Sequence, residues 1–232
     1  MPELKKVPKR FQPKGFEILY EDRDLIIGNK SPGYLSVAAK WNRETTVHAA
    51  LNQYVRKGNA CSRNCVYVVH RLDQDTSGVL VFAKSEAAQT FLKDNWRSAQ
   101  KIYYAVVHGH PKEKSGTVTS YLQEDEEYMM HSNQAGEGKL AKTAYTIVKE
   151  EGKYSLLKID LLTGRKNQIR IHLAELGHPV VGDAKYGKKG AERLALHAQS
   201  ITLTHPFSKK RLTVEAPLPE YFERLMRTKD IR

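Results

Sequence analysis

Asp73 and Asp75 stand two positions apart in the stretch HRLDQDTSGVLVFAK, residues 70–84, with His70 and Arg71 just before them and Thr76, Ser77 and Gly78 just after. Carboxylates alternating with hydroxyls and followed by glycine form the opening half of a calcium loop. Position twelve of that loop would be Lys84, where a bidentate Glu is required, and the flanks read as strands rather than helices, so the match to calcium fails. A carboxylate pair also suits glycoside hydrolysis, because alternate positions of an extended loop face one side. The chain lacks the aromatic-rich cleft that a sugar substrate calls for. One carboxylate suffices for another chemistry: anionic at neutral pH, it can act as a nucleophile and form a covalent ester. Asp, Thr, Ser and Gly are also ordinary turn formers, a reading that leaves His70 and Arg71 without a purpose.

The elements that would hold such a loop are legible on both sides of it. Residues 66–69 and 79–83 are apolar and largely β-branched, so the polar cluster is expected in a tight loop between two buried strands. Loops carried by rigid strands are where chemistry is usually placed. Upstream, residues 17–20 and 25–29 read as short strands joined by an EDRD turn and followed by NKSPG. Thr45 or Thr46 caps a helix to Tyr54, and Ser85 caps a second one through Arg97, with Phe91, Leu92 and Trp96 facing a sheet. Residues 103–107 and 117–122 read as strands. Residues 142–150 and 154–161 alternate around a Gly-containing turn as a hairpin. A helix is expected over 166–176, ended by Gly177, then a strand over 195–204 and a closing helix over 219–228. The polar segment 124–142 is expected to be a mobile insertion or hairpin tip. Strands predominate, so the expected class is α+β with a mixed, largely antiparallel sheet and flanking helices.

The stretch containing Asp73 resembles the signature of the RluA-type pseudouridine synthases, in which an HRLD run is followed by TSG. Three further stretches resemble that family in the same order: QKIYYAVVHG (100–109), LTGRKNQIRIHLAELGHPVVGDAKYG (162–187) and LALHAQSITLTHP (194–206). The resemblance covers about residues 16–222 and implies the same α+β fold, with the active site in a cleft across the sheet. It implies that Asp73 is the catalytic aspartate, Tyr103 the active-site tyrosine that stacks on uracil, and Arg170 the arginine paired with the catalytic carboxylate. It further implies substrate contacts from His70, Arg71, Thr76, Arg165, Gln168 and Ile169, with no metal and no cofactor. Whether Asp73 attacks the sugar, attacks the base or abstracts a proton stays open. The sequence departs from the family at NKSPG, which is one residue longer before its glycine, around Ser36 and Val37 in place of a His-Pro pair, and at Asn167, usually His.

The chain has 232 residues and 40% apolar residues, enough for a sizeable core, with no long apolar run and no secretory leader pattern. A cytoplasmic protein with no membrane partner is expected. Cys61 and Cys65 are the two cysteines, and CSRNC without a second ligand pair argues against zinc. His108 and His110, lacking a third ligand nearby, are expected to be surface residues. A formal net charge of +12 suggests a polyanionic partner, here a ribosomal or transfer RNA stem-loop. Residues 1–15 hold five Lys or Arg and three Pro and read as a flexible basic arm, and residues 16–232 as one catalytic domain without an accompanying S4 domain. A monomer is the default. The alternative is a non-catalytic RNA-binding relative with the same fold and an idle carboxylate.

Overall fold

The structure, a computed structural model, describes residues 8–39, 45–59, 61–126, 129–133, 136–187, 190 and 192–227. The chain divides into two compact units, Met1–Ala99 with Ala198–Ala216, and Gln100–His197 with Pro217–Arg232.

In the first unit a 3-10 turn at Lys9–Phe11 precedes β1 (Phe16–Glu21) and β2 (Leu25–Lys30), which pair antiparallel. Asp22 makes their turn, its Oδ1 accepting from the N–H groups of Asp24 and Leu25 at 2.8 Å each. Helix α1 (Val47–Arg56) is capped by Thr46, whose hydroxyl accepts from Ala49 N–H, and it ends where Lys57 turns left-handed. Strand β3 (Tyr67–Val68) pairs with the end of β4 (Ser77–Ala83), which also pairs along its length with β2. Every residue of β4 is buried, which accounts for an unbroken apolar run where a strand with one wet face would alternate.

Helix α2 (Glu86–Asp94) starts at the expected Ser85 cap but stops three residues before the expected Arg97. The Asn95 side chain donates to the Phe91 carbonyl, closing the helix, and Trp96–Ser98 continues as a 3-10 turn. Leu25, Ile27, Val79, Val81, Leu92, Ile201 and Leu203 belong to one core, each buried side chain contributing about 1.5–3 kcal/mol.

In the second unit β5 (Gln100–His108), β6 (Ser115–Glu124), β7 (Met130–Asn133), β8 (Lys139–Glu151) and β9 (Tyr154–Leu161) lie in the order β5-β9-β8-β6-β7, all antiparallel. The segment expected as an insertion or hairpin tip thus supplies β7 and the start of β8, and Met130 joins Leu122, Ala141 and Ile171 in a small core. Helix α3 (Gln168–Glu175) begins two residues later than its pattern predicts, because Asn167 takes a left-handed φ of 54° just before it. Strand β10 (Leu196–Thr204) carries the chain back to the first unit, where it pairs with β11 (Arg211–Glu215). Helix α4 (Glu220–Leu225) buries Phe222 and is shorter than expected at both ends, and Thr228 lies outside the described residues.

The α+β class with a mixed, largely antiparallel sheet is what the chain adopts, with eleven strands and four helices among the described residues.

Candidate active site

The HRLDQDTSG stretch is a short turn running straight into β4. The Asp73 carbonyl accepts from Thr76 N–H at 3.2 Å, with Gln74 and Asp75 exposed at the tip and Asp73 half-buried. Gly78, the second residue of β4, has a φ of +113°, and a Cβ there would come within 2.2 Å of the Ala198 carbonyl oxygen, so only glycine fits. His70 faces inward: its Nε2 accepts from Val81 N–H at 3.1 Å, and its ring lies 4.5 Å from that of Trp96. That hydrogen bond holds the ring to β4 through the nitrogen that carries no proton. Arg71 is exposed, and the Thr76 hydroxyl is buried with no hydrogen-bond partner among the described residues.

Two residues outside the stretch grip it. The register of β2 against β4 sets Lys30 opposite Gly78. Lys30 is fully buried, and its ammonium donates to the carbonyls of Ser31, Tyr34 and Gln74 at 3.0, 2.9 and 2.8 Å. Three carbonyl acceptors satisfy the three donors of an ammonium, which a buried lysine requires. The Gln74 carbonyl also accepts from Gly33 N–H, and the Gln74 amide donates to the Gly33 carbonyl. Ser36 bonds both backbone groups of Leu72, the residue before Asp73. Lys30 had a sequence signal, a cation closing the apolar run LIIGNK; Ser36 had none beyond its departure from the family pattern.

The second unit holds the remaining candidates. Tyr103, in β5, is buried and sits opposite Ile159, which sits opposite Tyr145, giving a row of two tyrosines about an isoleucine on one sheet face. Arg170, in the first turns of α3, donates from Nε and Nη2 to the two oxygens of Asp183 at 2.8 and 2.7 Å, and its guanidinium lies over the Tyr186 ring. Asp183 also accepts from the N–H groups of Lys185 and Tyr186. Burial by itself would raise the Asp183 pKa, but the Arg170 guanidinium and the two backbone donors outweigh it and hold the carboxyl below its usual range. Asp183 was not among the residues expected from sequence, although its GDAKYG turn lay inside the third motif.

Gln168 is buried and uses its amide within the protein: Oε1 accepts from the Thr163 hydroxyl and Arg165 N–H, and Nε2 donates to the Lys142 carbonyl and Thr143 hydroxyl. Ile169 is buried, and Arg165 is exposed with its Nε donating to the Leu140 carbonyl. Asn167, standing where the family has His, accepts on Oδ1 from Lys185 Nζ and the Tyr186 hydroxyl. His172 is fully buried between the hydroxyls of Thr143 and Ser120, and burial pushes its pKa down to about 4. His110 bonds Ser155 and the Gly152 carbonyl.

Asp22, Asp24 and His205 bring potential ligand atoms within 4.8 Å of one another. Within that group Asp22 Oδ2 accepts from the Tyr20 hydroxyl and from His205 Nε2, and His205 Nδ1 accepts from the N–H groups of Phe207 and Ser208, so the cluster ties the β1–β2 turn to the β10–β11 turn.

Residues 24–175 match the RNA pseudouridylate synthase family. A Mycoplasma pneumoniae protein described as an uncharacterized RNA pseudouridine synthase, MG209 homolog, is 35% identical over 231 residues, 94% of this chain and 72% of that one. The Bacillus subtilis protein YhcT, described in the same terms, is 35% identical over 222 residues, 91% of this chain and 72% of its own. Among solved structures, human RNA pseudouridylate synthase domain containing 1 aligns at a TM-score of 0.72 with 25% identity, covering 87% of this chain and 83% of that one. Human RNA pseudouridylate synthase domain containing 4 has the same fold, with a TM-score of 0.71 at 23% identity over 89% of this chain and 90% of that one.

Fold and sequence together define an RNA-modifying isomerase. The chain belongs to the RNA pseudouridylate synthase family, of the RluA type.

Proposed function

We propose that this protein converts particular uridines in a structured RNA, a ribosomal or transfer RNA stem-loop, to pseudouridine, with Asp73 as the reacting carboxylate. In that isomerisation the N1–C1′ bond breaks, the uracil turns, C5 joins C1′, and the C5 proton is released while N1 takes one up. The observation that carries the reading is the way the chain treats Asp73: a half-buried carboxylate in a turn whose neighbours, Leu72 and Gln74, are both fixed from outside the turn. A solvated turn would have no need of a buried lysine and a buried serine.

Around Asp73 the roles follow the family resemblance. Tyr103 stacks on the uracil and Ile169 gives an apolar wall. Arg170, oriented by Asp183, is the arginine that the resemblance pairs with the catalytic carboxylate. The uridine leaves its helix to reach the carboxylate, as base-modifying enzymes arrange by flipping, and exposed Arg71 fills the vacated space. Arg165, with other exposed Lys and Arg residues, meets phosphates. The resemblance also gives His70, Thr76 and Gln168 substrate contacts; in this protein the His70 ring is bonded to β4 and the Gln168 amide to the loop before α3 and to β8. Residues 16–232 serve as the catalytic domain of a monomeric cytoplasmic protein, with no metal or cofactor. No helix among the described residues is long and apolar enough to cross a membrane.

The test is pseudouridine mapping of total RNA from cells with the wild-type gene, with the gene deleted, and with Asp73→Asn restored. Sites lost on deletion and not rescued by Asp73→Asn establish the activity and the residue. Full rescue by Asp73→Asn removes Asp73 from the chemistry, and an unchanged map on deletion favours the RNA-binding alternative.

A further inference from the structure

Asp73 lies in a turn, and a turn by itself does not fix a carboxylate to the tolerance that bond-making requires. Ser36 supplies that fixation on one side. Its hydroxyl donates to the Leu72 carbonyl at 2.8 Å and accepts from the Leu72 N–H at 3.0 Å, so a single side chain satisfies both backbone groups of the residue before Asp73. Ser36 and Leu72 are buried at 2% and 7% exposure, which leaves water little access to replace either bond. Leu72 belongs to no strand, and Ser36 does for it what a neighbouring strand would do.

Ser36 is itself anchored by something rigid. Its carbonyl accepts from His48 N–H in the first turn of α1, the Leu35 carbonyl accepts from Val47 N–H, and Leu35 bridges to Thr46, the α1 cap. His48 in turn bonds the Val66 carbonyl and stacks on Phe82 of β4. A continuous path therefore leads from the buried strand through α1 and Ser36 to the peptide preceding Asp73. On the other side of Asp73, Lys30 and Gly33 N–H hold the Gln74 carbonyl.

We infer that Ser36 is a positioning residue for the isomerisation: it sets where the Asp73 carboxylate stands, without touching the RNA. The inference rests on the reading of Asp73 as the reacting residue and adds to it a requirement at a position where this chain departs from the family's His-Pro pattern. A hydroxyl, not a particular shape, is what the geometry demands, because one group must both donate and accept.

The experiment uses purified full-length protein and total RNA from the deletion cells, following pseudouridine at the mapped sites against RNA concentration. Ser36→Ala is expected to lower kcat about 10- to 100-fold, the scale of misplacing a reacting group by a fraction of an ångström to one ångström, with KM changed less than about two-fold. Ser36→Thr, which keeps the hydroxyl, is expected to recover most of that loss, while Ser36→Cys, close to serine in size but a weak hydrogen-bonding group, is expected to follow alanine. Leu92→Ala, a truncation in α2 within the core of the same unit, controls for destabilisation alone, and its kcat is expected to stay near wild type below its melting temperature. Asp73→Asn is run in parallel: if it retains turnover, the reading of Asp73 fails. If Asp73→Asn is inactive and Ser36→Ala turns over normally, loses KM in place of kcat, or is matched by Leu92→Ala, the inference about Ser36 is overturned. Should Ser36→Ala not fold, the contrast between Thr and Cys decides, and equal kcat values for those two overturn it.

Discussion

Arg170 and Asp183 form a two-point fork, Nε to Oδ2 at 2.8 Å and Nη2 to Oδ1 at 2.7 Å, in which the carboxylate side chain is wholly buried and the guanidinium nearly so. The parallel geometry fixes the plane of the guanidinium as well as its place. Asp183 is held in turn by two backbone N–H groups of its own turn, so the cation at the start of α3 is oriented by a short, rigid relay.

Removing Asp183 should therefore be more damaging than an ordinary surface change. Asp183→Ala removes both hydrogen bonds of the fork from a largely buried guanidinium, and a loss of about 3–5 kcal/mol is expected in urea unfolding. Asp183→Asn keeps an oxygen for the two backbone donors and should lose less. The sign with pH follows from the depressed carboxyl: its contribution is full above the ordinary aspartate value and is lost as pH falls through the lowered folded value. Wild type and Asp183→Asn should thus converge in stability in strong acid. A gap between them that does not narrow there would remove the ion pair as the cause.

His172 gives a second pH dependence in a different window. Its pKa falls from an ordinary 6.5 to about 4 on burial, so between those values the unfolded chain binds a proton that the folded chain does not. Stability therefore rises with pH through that window, reaching its full value above 6.5, and acidification to pH 4 removes about 3 kcal/mol. His172→Gln, able to serve the Thr143 and Ser120 hydroxyls without titrating, should flatten the slope. Chemical denaturation at several pH values compares the two, and an equal slope in the variant would assign the effect elsewhere.

The glycines of the turn region should separate strain from collision. Gly33 has a φ of +84° with nothing within 4 Å of an added Cβ, so Gly33→Ala meets backbone strain alone, about 1 kcal/mol. At Gly78 the same change drives a methyl into the Ala198 backbone as well. Gly78→Ala should yield little soluble protein, whereas Gly33→Ala should fold with a small drop in melting temperature. Similar melting temperatures for the two would count against the close approach of β4 and β10.

Lys30→Met tests the other side of the Asp73 turn. Methionine fills the space but leaves the Ser31 and Tyr34 carbonyls without their donor and the Gln74 carbonyl with one donor in place of two. A loss of about 2–4 kcal/mol in urea unfolding is expected, together with reduced turnover at temperatures where the variant is folded. Wild-type stability would show that water replaces the ammonium.

RNA binding should weaken steeply with salt, since a chain of net charge +12 that neutralises phosphates releases counterions. Affinity measured at several salt concentrations between 50 and 200 mM, about the range over which phosphate-binding proteins lose several orders of magnitude, checks this. A flat response would mean that the basic residues do not track the backbone.

The sequence by itself determined what local physics controls. Alternation and apolar runs marked β1, β2, β4, β8 and β9, and the Thr45–Thr46 pair, of which Thr46 is the cap, and Ser85 announced two helices, because capping is a contact within one turn of the chain. The HRLDQDTSG stretch stood out because its residues sit together along the chain. Where helices end was less visible: the Asn95 bond to Phe91 and the left-handed Asn167 are decided by single side chains that also suit a helix interior or a turn. Strand β7 was hidden in a polar segment, since edge strands carry little apolar signal. The tertiary structure alone decided which residues support the site. Ser36 meets Leu72 across 36 positions and Lys30 meets Gln74 across 44, and Asp183 reaches Arg170 from beyond the end of its helix. Such partners are chosen by the packing of elements far apart in the chain, where a serine, a lysine or an aspartate has no spacing of its own to give it away.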